Sequence, residues 1–111
     1  MTPAGLRESV ARLLRGAAMR VDRGWTQGGM ARDAAGCQVT PRDPDAVCWC
    51  ALGAILAGRG ARQHACIALS RHIGGRFFGR VADWNDAAVR TAEDVASTLR
   101  ACADRVERGE L

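Results

Sequence analysis

Lysine and tyrosine are absent from this sequence, and aromatic rings are scarce: Trp25, Trp49, Trp84, Phe77 and Phe78 are all it has. A core with so few rings must be filled mainly by Ala, Val, Leu and Ile, which favours closely packed helices. The longest uncharged apolar stretch covers only residues 46–57. A membrane-spanning helix needs roughly 20 such residues, so no membrane association is expected. Residues 1–10 include Arg7 and Glu8 and no long apolar run, unlike a secretory signal. Also missing are a phosphate-cradling Walker loop, a dinucleotide fingerprint, a G-x-S-x-G turn and an H-E-x-x-H pair. Nucleotide chemistry, serine hydrolysis and zinc-protease chemistry therefore have no support.

What is present fits one globular domain over residues 1–111, with 48% hydrophobic and 25% charged residues. Such a chain buries roughly two-thirds of its unfolded surface, enough for one core without covalent staples. The net charge is +4 and all sixteen basic residues are arginine. Arginine forks suit phosphates and carboxylates. The accompanying wealth of alanine and glycine also fits a GC-rich coding sequence, so the charge alone names no partner. Five cysteines, Cys37, Cys48, Cys50, Cys66 and Cys102, make an odd count. Reduced thiols in a cytoplasmic setting are expected.

Hydrophobic spacing predicts a first helix over residues 3–22, with Leu6, Val10, Leu13, Leu14, Ala17 and Val21 on one face. Its outer arc carries arginines, among them Arg12 and Arg15. After Gly24 the period changes. Residues 30–32 and 37–39 read as two short strands turning over residues 33–36. Asp43-Pro44 reads as a cap and first turn, which predicts a helix over residues 44–56, apolar on all sides and central. Gly53 in it would admit a neighbouring backbone. A third helix is expected over residues 61–73, a short helical turn over 81–84, and a last helix capped by Thr91 with Asp94. The last residues, 107–111, are expected to fray. The fold class is therefore mainly α: a compact four-helix domain with a small β-hairpin between helices 1 and 2.

Metal and cysteine chemistry fare poorly. Zinc sites need ligand pairs such as C-x-x-C, whereas Cys48 and Cys50, within the expected helix, would face about 200° apart. No metal and no cofactor is expected. Asp83, Asn85 and Asp94 fall at positions 1, 3 and 12 of a calcium loop, but Ala87 and Ala88 stand where a ligand and a glycine are required. Two surfaces suggest partner binding. One is the loop holding Arg76, Phe77, Phe78 and Arg80; the other is the arginine arc with Arg12 and Arg15. Alternating basic and aromatic residues also suit single-stranded nucleic acid.

Four motifs occur in order: Trp25-Thr26-Gln27-Gly28, then Ala31-Arg32-Asp33-Ala34, then Trp49-Cys50-Ala51-Leu52-Gly53-Ala54, then Trp84-Asn85-Asp86. This set resembles a family of small bacterial and phage proteins of unknown function. The resemblance implies a compact helical domain without established catalysis. In it, Gln27, Arg32, Asp33, Asn85 and Asp86 form a polar cluster beside three core tryptophans. That cluster is either a structural network, with Arg32 bridging an aspartate, or the lining of a ligand pocket. The expectation is a small non-enzymatic interaction protein that binds a host protein, in the manner of a phage or mobile-element inhibitor of the anti-defence or anti-CRISPR type. The alternatives are a nucleic-acid-binding regulatory module, and an enzyme or small-ligand binder using the polar cluster. The sequence leaves the oligomeric state open.

Overall fold

The computed structural model describes residues 2–74 and 80–111. Among these it contains helices α1 (Pro3–Arg23), α2 (Ala51–Leu56), α3 (Arg62–His72), α4 (Arg80–Asn85) and α5 (Ala92–Glu107), with strands β1 (Ala31–Arg32) and β2 (Cys48–Trp49). The architecture is mainly helical with one small antiparallel two-stranded element. No helix of the described residues is long and apolar enough to cross a membrane.

The two long helices form the frame. Thr2 caps α1 by accepting from the Gly5 amide at 3.0 Å, and Pro3 opens its first turn. Thr91 and Asp94 close a reciprocal capping box on α5. Each helix buries an alanine-rich stripe: Ala11, Leu14, Ala17, Ala18 and Val21 on α1, and Val95, Ala96, Leu99, Cys102 and Ala103 on α5. Small side chains let the axes approach, and this pair makes the most extensive helix–helix packing. Arg15 pairs with Asp104 and Glu107, while Arg100 pairs with Asp22. Rising numbers on α1 thus meet falling numbers on α5, so the helices run antiparallel. The tail does not fray as expected. Gly109, at φ +74°, donates to the Val106 carbonyl, and Glu110 donates to that of Arg105. This is a Schellman closure, which satisfies the last carbonyls of α5.

The middle of the chain departs from the sequence reading. No helix begins at Pro44. The Asp43 carboxylate instead accepts from the Asp45 amide at 2.8 Å, a local turn, and α2 starts only at Ala51. The backbone between is taken by longer-range bonds: Val47 N–H to Arg32 O, Trp49 N–H to Gly24 O and Cys50 N–H to Met30 O. Pairing follows, with Ala31 opposite Trp49 and Arg32 opposite Cys48. The expected partner segment, 37–39, keeps only an isolated bridge between Gln38 and Arg32. Two glycines make the close approach possible. A Cβ on Gly53 would lie 2.0 Å from the Met30 carbonyl oxygen, and one on Gly24 would lie 2.2 Å from that of Val47. Gly53 therefore plays the part its position in α2 suggested. The expected turn over residues 81–84 is the helix α4.

Candidate functional site

Asn85, at the end of α4, is fully buried. Its Oδ1 accepts from Trp25 Nε1 at 2.8 Å and from the Ala51 amide at 3.0 Å. Its Nδ2 donates to the Thr26 carbonyl at 3.1 Å and to Asp86 Oδ1 at 3.0 Å. Both Oδ1 partners can only donate, which fixes the orientation of the amide. All four hydrogen-bonding positions of the side chain are used. One residue thereby ties together the segment after α1, the start of α2 and the end of α4.

Gln27 tightens the same knot from outside. Its Nε2 donates to the carbonyls of Asn85 and Ala87, each at 3.0 Å, and the Gly28 amide donates to Asp86 Oδ1 at 3.1 Å. Arg32 reaches the knot only through Thr26 and Gln27. Its Nε donates to Thr26 Oγ1 at 3.1 Å and its Nη2 to the Gln27 carbonyl at 3.4 Å, while Nη1 donates to the Gly36 carbonyl at 3.1 Å. The expected bridge from Arg32 to an aspartate does not form; one hydroxyl and two carbonyl oxygens take its donors instead. Asp33 stands apart, its Oδ1 accepting from the Ala35 and Cys37 amides at 3.0 and 2.9 Å. The structure thus gathers Gln27, Asn85 and Asp86, attaches Arg32 at the edge, and leaves Asp33 in its own turn. The three tryptophans pack against the core as expected. Trp49 Nε1 donates to the Pro41 carbonyl at 2.9 Å, and the Arg90 guanidinium lies 4.3 Å from the Trp84 ring centroid.

Within the cluster the donors meet backbone carbonyls or neighbouring side-chain oxygens, and the Asn85 amide is saturated. Among the described residues no buried side-chain nitrogen or oxygen lacks a partner. The thiols point the same way. Cys48 lies in β2 and Cys50 caps α2, accepting from the Gly53 amide at 3.2 Å, so the helical argument for their separation does not apply. Burial raises the pKa of Cys50 and Cys66 and pushes that of Cys102 up to about 12. Thiolates are the nucleophilic form, and burial disfavours it at all three. Among the described residues no three His, Cys, Asp or Glu side chains converge as a metal group would require.

Of the partner-binding residues read from the sequence, Arg76, Phe77 and Phe78 lie outside the described residues. Arg80 opens α4. Arg15 is engaged with α5, and Arg12 is exposed on α1.

One surface feature escaped the sequence reading. At the N-terminal part of α1 a recess of about 130 Å³ opens against α3 and the end of α5. Leu6 and Val10 form one wall, Ile67 and Ala68 a second, and Val106 lies at its base with Leu111 beside it. Arg7, His64 and Arg71 stand exposed on its rim. The available signal was Ile67, which lies off the α3 stripe of Ala65 and Leu69 and precedes Arg71 by one turn.

Neither a curated protein nor a solved structure matches the chain significantly. A family profile does, and it spans residues 6–105, nearly the whole chain. The protein therefore belongs to the family of unknown function DUF6197.

Proposed function

We propose that this protein is a non-catalytic interaction domain that acts by docking on another protein. The observation that supports this is the saturation of Asn85. The cluster best placed to be a reactive site has its central amide fully committed to Trp25, Ala51, Thr26 and Asp86. Buried polar groups arranged in this way hold elements together. Action through the surface is the remaining route, and a phage or mobile-element inhibitor is one form of it. Direct nucleic-acid binding has weaker support. Arg15, Arg100, Arg105 and Arg108 are paired with acids of the same chain, which dilutes the positive field available to phosphates.

The test is affinity capture of the tagged protein from a bacterial lysate, with and without nuclease, followed by mass spectrometry. A stoichiometric protein retained through nuclease treatment is the expected result. Recovery that vanishes with nuclease would transfer the role to nucleic-acid binding.

A further inference from the structure

The recess lies near the start of α1, whereas the Asn85 knot lies just past its end, about 25 Å away along the helix. Its α3 wall is a single helical stripe: His64, Ile67, Ala68 and Arg71 are spaced i, i+3, i+4 and i+7. The stripe is apolar in the middle and bears a ring nitrogen at one end and a guanidinium at the other. Leu6 and Val10, one turn apart on α1, face it, with Arg7 beside them. An apolar floor is thus framed by basic side chains from two helices.

No carboxylate side chain lines the recess. The acids nearest in sequence to Val106 and Leu111 are already engaged: Glu107 with Arg15, and Glu110 with Arg105 and Arg108. Among the described residues Arg7 and Arg71 have no ion-pair partner. The rim charge is thus hydrated and free to meet an acid from outside, next to a surface that favours a hydrocarbon group.

Size narrows the occupant. A cavity of about 150 Å³ accommodates a benzene ring, so about 130 Å³ suits one phenylalanine or leucine side chain. A free hydrocarbon of that size would fill the floor and leave the rim arginines without a contact. The entering group must belong to something larger whose flanking atoms reach the arginines. We infer that the recess receives one large apolar side chain from an acidic segment of a partner protein, with carboxylates on either side of that anchor pairing with Arg7 and Arg71. This rests on the docking reading above and specifies its seat.

The test is a methyl NMR titration with three blocked peptides: EEDFDEE, EEDADEE and KKRFRKK. EEDFDEE is expected to shift the methyls of Leu6, Val10, Ile67 and Val106 saturably while leaving Val21, at the other end of α1, in place. Losing the ring in EEDADEE should weaken binding roughly thirtyfold. The double variant R7E/R71E, changed only at exposed positions, should weaken EEDFDEE about tenfold with an unaltered melting curve. The inference falls if millimolar EEDFDEE leaves the recess methyls unmoved, or if EEDADEE or KKRFRKK binds as well. It falls equally if phosphatidylglycerol vesicles perturb those methyls and the peptide does not. The two readings fail separately. A captured partner still retained by R7E/R71E overturns the recess as its seat while docking stands. EEDFDEE seated in the recess with no partner captured supports the recess and counts against the docking reading.

Discussion

The two ends of α1 solve opposite problems. Past its C-terminus the Asn85 amide is buried with every bond closed: it makes four hydrogen bonds, one of them from Trp25 Nε1, and the half-buried Gln27 side chain adds two. Near its N-terminus the lining is apolar, the rim is cationic, and Arg7 and Arg71 have no acid of their own among the described residues. A buried amide can be tolerated only when saturated, because each orphaned donor or acceptor costs about 1–3 kcal/mol. An exposed guanidinium is hydrated and needs no partner to be tolerated. Polarity at the knot is thus explained by the fold, and polarity at the rim is not. That difference separates a structural cluster from a candidate contact surface more sharply than residue type does.

Breaking the knot should have the largest effect. Asn85→Ala would leave Trp25 Nε1, the Ala51 amide and the Thr26 carbonyl without their partner in a site closed to solvent. A loss of about 4 kcal/mol or more is expected, read as a lower midpoint in urea unfolding. Gly53→Ala comes next. The added methyl would sit 2.0 Å from the Met30 carbonyl oxygen, and because that atom is backbone, β1 or α2 must move. A cost of about 3 kcal/mol is expected by the same measurement. If Gly53→Ala were neutral, the seating of α2 against β1 described above would be wrong.

A smaller effect should appear with pH, at the boundary between the two ends. His72 Nδ1 lies 2.9 Å from Arg105 Nη1. A guanidinium only donates, so this nitrogen accepts and the ring is neutral. Burial first, and the Arg105 charge second, lower the His72 pKa below its ordinary 6.5. In the unfolded chain the ring takes up its proton earlier as the pH falls. The unfolded state then binds more protons, so stability rises with pH across that window. The contribution is fully present above pH 6.5. It is lost as the pH falls through 6.5 toward the lower folded value. Thermal unfolding of the wild type and of His72→Gln between pH 7.5 and 5 checks this, the variant being expected to show the flatter profile.

Local chemistry was legible in the sequence, and long-range pairing was not. The cap of α5 was readable because Thr91 and Asp94 act within one turn. The stripes of both long helices follow from spacing alone. Asp43-Pro44 misled because a capping carboxylate and an Asx turn look the same locally. What decides between them is that residues 47–50 bond to Gly24, Met30 and Arg32, up to about 25 residues earlier. The motifs contain Gln27, Asn85 and Asp86, which the structure brings together. Whether they formed a pocket or a knot depended on the Ala51 amide and the Thr26 carbonyl, backbone atoms that no motif displays. The recess stayed hidden because Leu6, Ile67 and Val106 are brought together by three helices.

The smallest predicted effect sharpens the comparison most. Arg7→Glu and Arg71→Glu, singly or together, should change unfolding free energy by no more than about 0.5 kcal/mol, since exposed substitutions away from caps and networks seldom do more. Arg15→Ala provides the calibration. It removes an exposed pairing to Asp104 and Glu107 across α1 and α5, for which about 0.5–1 kcal/mol is expected. Chemical denaturation of the wild type and these four variants in one buffer places them on one scale. Loss of stability in Arg7→Glu or Arg71→Glu equal to that in Arg15→Ala would mean that the rim arginines also hold the fold together, and the contrast between the two ends of α1 would collapse. Stability unchanged at the rim and reduced at Arg15 would mean that the fold makes no use of the rim charge.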